Sequence, residues 1–278
     1  MGEKEAQIRG YKDLRVVIEI FKAYLRTELI RNSGFLFGLL SLILWLLLFL
    51  TSIILFSSEE VDASMVSSHS MVAMAIFLSY SIATWDWAWE IRRLGFHGIM
   101  DYVITSGRDF LVIFLGLIPV SLIWFSASLL GSYVLLSLLI SPPLISVVDL
   151  PTMLVGSLSL LLVLLGYSMI LGGVTISTGT SGPVMEFLGW ILPIATGGLT
   201  PLERMPHLVR SLALATPFSY PAEMIRYSLG LANPVLGIEK TIVLGITYSV
   251  SFFLLGIFFF KRQIRKILIK GTSIPSMY

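Results

Sequence analysis

Residues 150–185 read LPTMLVGSLSLLLVLLGYSMILGGVTISTGTSGPVM, and none of them is charged. A bilayer core asks for about 20 consecutive apolar residues per helix, so this stretch alone is long enough to cross. Four more charge-free stretches lie at 32–58, 63–85, 110–148 and 241–260, and the five together make up about half of the 278 residues. Over the whole chain 56% of residues are apolar and 13% are Asp, Glu, Lys or Arg, against about 45–50% and about 25% in soluble domains. This composition excludes a soluble enzyme. It predicts an all-α membrane protein that crosses the bilayer several times.

The same composition limits the chemistry. Without cysteine the chain has no disulfide framework, thiolate metal site or thiol nucleophile. His69, His97 and His207 are far apart and form no ligand motif, and a net charge of +2 is too small to imply nucleic acid. The amino terminus, MGEKEAQIRG, is followed by an amphipathic stretch where a signal peptide would carry its apolar region.

Outward from 150–185, the pattern predicts one membrane domain with spans at about 34–56, 66–85, 110–132, 151–177, 187–199 and 241–260. The run 110–148 is too short for two spans and a turn. It reads as one helix followed by an irregular piece ending in Ser141-Pro142-Pro143. The span at 151–177 stops at Thr178-Gly179-Thr180-Ser181-Gly182-Pro183, a stretch rich in helix breakers.

Lysine and arginine counts set the expected orientation. Seven precede the first span (Lys4, Arg9, Lys12, Arg15, Lys22, Arg26, Arg31), and the loop at 57–65 has none. Arg92, Arg93 and Arg108 lie in 86–109, none in 133–150, and five follow Phe260. The alternation predicts six spans in the cell membrane with both termini cytoplasmic. The segment 196–240 dissents, with Arg204, Arg210, Arg226 and Lys240 on the expected outer side. The tail and the amino terminus outweigh it.

Three segments depart from plain spans. In 12–31, Leu14, Ile18, Phe21, Leu25 and Leu29 form a stripe at helical spacing that Lys12, Arg15, Lys22 and Arg26 avoid. A basic amphipathic helix so close to a span is expected in the cytoplasmic interface. In 187–226, Gly189, Pro193, Gly197 and Gly198 interrupt a short apolar run. TPLERMPHLVRSLALATPFSYPAEMIR (200–226) then carries four prolines and two apolar bursts too short to span. Irregular backbone at membrane depth survives only when buried in protein or lining a cavity, so 200–226 reads as a re-entrant outer segment. In 85–109, WDWAWEIRRLGFHGIMDYVITSGRD, Glu90, Arg92 and Arg93 sit on a short helical stretch bounded by Gly95 and by Ser106-Gly107. That compact charge cluster suits docking to a soluble partner, while Trp85, Trp87 and Trp89 read as an interfacial aromatic belt.

At these places the sequence resembles the type-2 permeases of ATP-binding-cassette exporters, a family with drug-resistance and polysaccharide- or lipid-exporting members. The outer signature is matched by Pro201-Leu202-Glu203-Arg204-Met205-Pro206, Thr216-Pro217-Phe218-Ser219-Tyr220 and Glu223-Met224-Ile225-Arg226. Glu90-Ile91-Arg92-Arg93-Leu94-Gly95 and Thr105-Ser106-Gly107 resemble the coupling loop, although Gly107 stands where that family usually has proline. The resemblance implies that Glu90, Arg92, Arg93, Gly95, Ser106 and Gly107 couple to an ATPase, and that Pro201, Glu203, Arg204, Pro206, Pro217 and Arg226 build an outer gate. It further implies two copies of a separate ATPase subunit that bind ATP and magnesium, and a second permease copy or paired homologue. Path-lining candidates are Trp45, Tyr80, Phe187, Trp190 and Pro193. The chain itself has no G-x-x-x-x-G-K-[ST] phosphate loop, so no cofactor and no catalytic residue is expected in it.

Two other readings compete. An ion-coupled carrier usually places Asp, Glu or His inside its spans, and the five long runs hold no carboxylate. An integral-membrane enzyme would need a motif such as H-E-x-x-H or G-x-S-x-G, and neither occurs. His97 and Asp101 at i, i+4 would share a helical face, but no metal site is expected there.

Overall fold

The computed structural model describes residues 14–30, 37, 38, 40, 41, 62–106, 111–178 and 182–270, and all regular structure among them is helical. In chain order the helices are α1 (14–30), α2 (Ala63–Ser81), α3 (Trp89–Phe96), α4 (Met100–Thr105) and α5 (Leu111–Leu139). They continue with α6 (Leu150–Thr178), α7 (Gly182–Ala195), α8 (His207–Leu214), α9 (Ser219–Ser228) and α10 (Ile238–Lys270). Four helical stretches are long and apolar enough to cross a bilayer: Ala63–Gly95, Leu111–Leu139, Leu150–Thr178 and Ile238–Ile269. The protein is therefore helical and membrane-embedded by the length and composition of these four. Of the expected span at 34–56, only 37, 38, 40 and 41 are described, all helical.

Several boundaries differ from expectation. α2 does not stop near Trp85. It passes through a widened π turn at Ile82–Ala88 straight into α3, because nothing between Trp85 and Leu94 breaks a helix. The stretch expected to open a loop at 86 is thus helical as far as Phe96. α5 runs to Leu139 rather than 132, until the residue before Pro142 is pushed out of helical geometry. The fifth expected span is α7, which starts at Gly182, not 187, since Pro183 is tolerated in a first turn. It ends at Ala195, where Gly197 turns the chain with φ 83°. Its 14 residues make about 21 Å, short of a bilayer core of about 30 Å. α10 continues beyond Phe260 to Lys270.

The chain divides into two compact units, Met1–Glu59 with Gly98–Leu135, and Glu60–His97 with Leu136–Tyr278. In the first, α1 packs on α5 at Gly116, where a Cβ would meet the Ile20 side chain and lie 3.3 Å from the Val17 carbonyl oxygen. Of the stripe on α1, Leu14 and Ile18 are exposed, while Phe21, Leu25 and Leu29 are half-buried.

The second unit is built around α6. Gly166 of α6 and Gly256 of α10 face each other so closely that a Cβ on Gly256 would lie 2.6 Å from the Gly166 carbonyl oxygen. Small residues allow this backbone approach, which supplies van der Waals contact where lipid offers no hydrophobic drive. Toward its amino-terminal end α6 receives α9, with Gly156 meeting Met224 and Ile225. Toward its other end it receives α3, with Ile91 seated on Gly172. The head of α6 is capped by Asp149, whose carboxylate accepts from the Thr152 backbone N–H at 3.1 Å and from the Thr152 hydroxyl at 2.7 Å.

Candidate functional site

Two places in the second unit hold several of the residues singled out from the sequence. The first surrounds α9. This ten-residue helix is almost wholly buried, with Pro221 in its first turn where a missing N–H costs nothing. Glycines let it in from both sides: Gly156 of α6, and Gly245 of α10, where a Cβ would fall 2.6 Å from the Met224 methyl group. Its carboxyl end is also held, since the Ser228 carbonyl accepts from Val148 N–H at 2.8 Å and Asp149 N–H at 3.2 Å.

Arg226 is the polar centre of this site. It is 2% exposed, and its guanidinium donates to the carbonyl oxygens of Gly197 and of Gly198, the latter at 2.7 Å. The two carbonyls become free because α7 breaks at Gly197, so one side chain satisfies the orphaned acceptors of a broken helix. Burial brings the Arg226 pKa down to about 10, with Glu223 and Tyr80 opposing, so it stays charged at neutral pH. Glu223, one turn earlier, accepts from Val235 N–H at 3.1 Å, and burial pushes its carboxyl above the usual range.

Beside Arg226 lies an aromatic cluster that the sequence reading did not anticipate. Phe218 stacks within 5.9 Å of Tyr80, 5.9 Å of Tyr167 and 5.3 Å of Phe252, so one ring joins α2, α6 and α10. The Tyr80 hydroxyl donates to the Phe218 carbonyl at 3.3 Å, and Thr84 donates to the Tyr167 hydroxyl at 3.2 Å. Phe218 belongs to the quoted TPFSY stretch, yet nothing local marks it as a hub.

The remaining outer-gate residues are peripheral to this centre. Pro201 leads into a tight turn at Leu202–Arg204, where Leu202 is buried and Glu203 and Arg204 are exposed. Pro206 precedes α8, and Pro217 lies between α8 and α9. Between Pro206 and Pro217 the chain forms the short helix His207–Leu214, with Leu208 and Leu212 exposed.

The path candidates scatter. Tyr80 is 1% exposed and enclosed by the second unit. Pro193 is buried, its carbonyl accepting from Leu199 N–H at 3.0 Å. Phe187 and Trp190 are exposed, although the Trp190 ring also stacks on Phe77 at 5.9 Å. Trp45 lies outside the described residues.

The second site is α3. Ile91 and Leu94 are buried on one side, and Glu90 is only 6% exposed. Arg93 reaches it with two bonds, Nε to Oε2 at 2.7 Å and Nη2 to Oε1 at 3.1 Å, a bidentate pair at i, i+3. The Arg92 guanidinium lies 4.6 Å above the Trp89 ring. The expected tryptophan belt is split, with Trp85 and Trp89 exposed and Trp87 buried. The helix closes with the His97 N–H donating to the Arg93 carbonyl at 3.0 Å, beside that of Gly95. Ser106 caps α4, its hydroxyl donating to the Val103 carbonyl at 2.7 Å, within the other unit. Gly107 lies outside the described residues.

His97 and Asp101 do not share a helical face. α3 ends at Phe96 and Gly98 takes φ 67°, so the next helix begins anew at Met100. Among the described residues no group of three or more His, Asp and Glu side chains could hold a metal ion. No protein-family model matches this sequence, and the comparison with curated proteins finds no match.

Proposed function

We propose that this chain is the membrane-spanning permease subunit of an ABC exporter. In this reading six spans cross the cell membrane with both termini cytoplasmic, and 200–226 is a re-entrant outer segment. A separate ATPase subunit in two copies binds ATP and magnesium. A second permease copy or a paired homologue completes the pathway. An amphipathic or lipid-like substrate, such as a drug, lipid or glycan-lipid, leaves the cytoplasm by alternating access. The charge-free helix faces favour such cargo over a small polar ion.

One observation carries the reading: α6 touches the charged helix α3 at Gly172 and the signature helix α9 at Gly156. Those glycines are sixteen positions apart on one helix, about 24 Å at 1.5 Å per residue. Close-packed interiors transmit strain. A push on the Arg92 and Arg93 surface, with Glu90 buried beneath Arg93, would therefore act on α6 through Ile91, and α6 would act on α9 and the Arg226 contacts.

Transport and ATP turnover by the chain with its ATPase subunit test this. The variant carrying Glu90→Arg, Arg92→Glu and Arg93→Glu keeps the Glu90–Arg93 attraction with the signs exchanged, so it should insert. Its transport should fall at least tenfold while ATP is still hydrolysed; unchanged transport would make α3 a passive linker. Alone, the chain should neither bind nor turn over ATP, and activity in a preparation free of any cassette subunit would sink the assignment.

Topology is tested with single cysteines, since the native chain has none. A cysteine at Glu203 should react from outside with an impermeant reagent, and one at Leu212 should resist. Charge at the bilayer centre costs about 2.5–3.5 kcal/mol on insertion scales, which keeps the Glu203–Arg204 pair near the interface. Rapid labelling at both positions would mean a plain outer loop.

A further inference from the structure

The long charge-free runs contain no carboxylate, but the fold buries two outside them, Glu90, which pairs with Arg93, and Glu223. Glu223 is 5% exposed. Its Oε1 accepts from Val235 N–H at 3.1 Å, which ties α9 to the loop before α10. Its Oε2 is buried and meets no donor.

Arg226 is the obvious counter-charge, one helical turn away at i, i+3. It is engaged elsewhere: its guanidinium donates to the Gly197 and Gly198 carbonyls, and the two side chains form no ion pair. Other titratable groups nearby add no cation. Tyr220 is on α9 itself, and Tyr248 of α10 stacks on Tyr220 at 5.4 Å. Tyr80 of α2 interacts with Arg226. Asp149, at the head of α6, is bound to Thr152. The loop 229–237 contains no titratable side chain.

An ionised Glu223 would spread a buried negative charge over two oxygens with a single neutral N–H between them. Burying a charge without a partner costs far more than burying a neutral acid, and the group takes up a proton instead. In the neutral acid the carbonyl oxygen accepts from the Val235 N–H, and Oε2 carries an O–H in place of the buried charge.

We propose that Glu223 is a proton-binding site whose carboxyl is neutral in the resting fold and whose deprotonation releases Arg226 from the end of α7. The proton leaves from Oε2 to water. The carboxylate left behind then competes with the Gly197 and Gly198 carbonyls for the guanidinium on the same helical face, and charge-assisted pairing favours the carboxylate. The site thus links proton occupancy to the contact between α7 and α9.

Burial as the leading influence raises the Glu223 pKa, and the Val235 and Arg226 contributions oppose it. A carboxyl with a raised folded-state pKa contributes stability that is fully present below its unfolded value and lost as pH rises through the folded one.

Infrared spectra of the full-length chain in lipid nanodiscs, stepped in pH, decide the matter. The carbonyl stretch of a neutral carboxylic acid should be present at neutral pH, vanish on raising pH, and be missing from Glu223→Gln. A wild-type spectrum without that band at neutral pH, or a band that persists in Glu223→Gln, overturns the proposal. If Glu223→Gln does not fold, Glu223→Asp replaces it: a shifted acid band supports the site, and an unshifted one overturns it. The melting temperature adds an independent readout, since the wild type should lose stability on going alkaline while Glu223→Gln does not. Parallel pH profiles for the two would also overturn it. Neither readout uses transport, so this proposal and the permease reading fail separately.

Discussion

α6 uses glycine in two different ways along its length. At Gly166 the neighbour is backbone, with Phe252 O 2.9 Å and Phe253 Cα 3.0 Å from where a Cβ would be. At Gly172 the neighbour is the tip of a flexible side chain, Ile91 Cδ1. Backbone cannot step aside without bending a helix, whereas a terminal methyl can rotate into another well. The α6–α10 contact is therefore rigid and the α6–α3 contact adjustable. A helix that is fixed to one partner and slides against another is what a transmitted motion requires. In the permease reading this makes α10 the frame and α3 the lever.

Breaking the rigid side should have the largest effect. Gly256→Leu forces side-chain atoms into the Gly166 backbone and should cost about 3 kcal/mol or more. Thermal unfolding in detergent should show it, together with a lower yield of folded protein. A variant that melts like the wild type would show that α6 and α10 are not in backbone contact.

Removing the staple at the end of α7 comes next. Arg226→Gln cannot reach both the Gly197 and Gly198 carbonyls and leaves at least one buried acceptor unpaired. The expected loss is about 2–3 kcal/mol, and Arg226→Lys should recover only part because it lacks the planar fork. Full stability in Arg226→Gln would mean that water satisfies both carbonyls.

The adjustable side should respond least. Gly172→Ala should cost under about 1 kcal/mol, because Ile91 can change rotamer. Ile91→Ala in that background should restore the fit, so the two changes should not add. A loss at Gly172 as large as at Gly256 would erase the distinction and make both contacts rigid.

Much of this was legible in the residues. Charge-free length alone predicts helices over about 66–85, 110–132, 151–177 and 241–260, and the described residues of each lie within a longer helix. The prolines at 206 and 217 correctly bracket a short helix, since proline excludes the residue before it from helical geometry. Boundaries shifted where a rule of thumb was too strict. Pro183 reads as a breaker, yet at the start of α7 it helps to begin a helix. Gly95 and Ser106-Gly107 bound one docking loop in the sequence, yet the fold places Gly95 and Ser106 in different compact units.

By itself the sequence determined that this is an all-helical, membrane-embedded chain and where its helices weaken. Those properties are sums over neighbouring residues: apolar length against bilayer thickness, and proline or glycine against the helical hydrogen-bond ladder. Only the tertiary structure decided which polar groups are buried and what satisfies them. Arg226 looks like a dissenting outer charge until two carbonyls nearly thirty residues earlier are brought to it. Glu223 and Glu90 are charged by type and Trp87 reads as part of an interfacial belt, yet all three are enclosed by the fold. Burial and pairing depend on how each helix is rotated about its axis and which glycine lets a neighbour approach. That information is shared between distant segments and is carried by no single one of them.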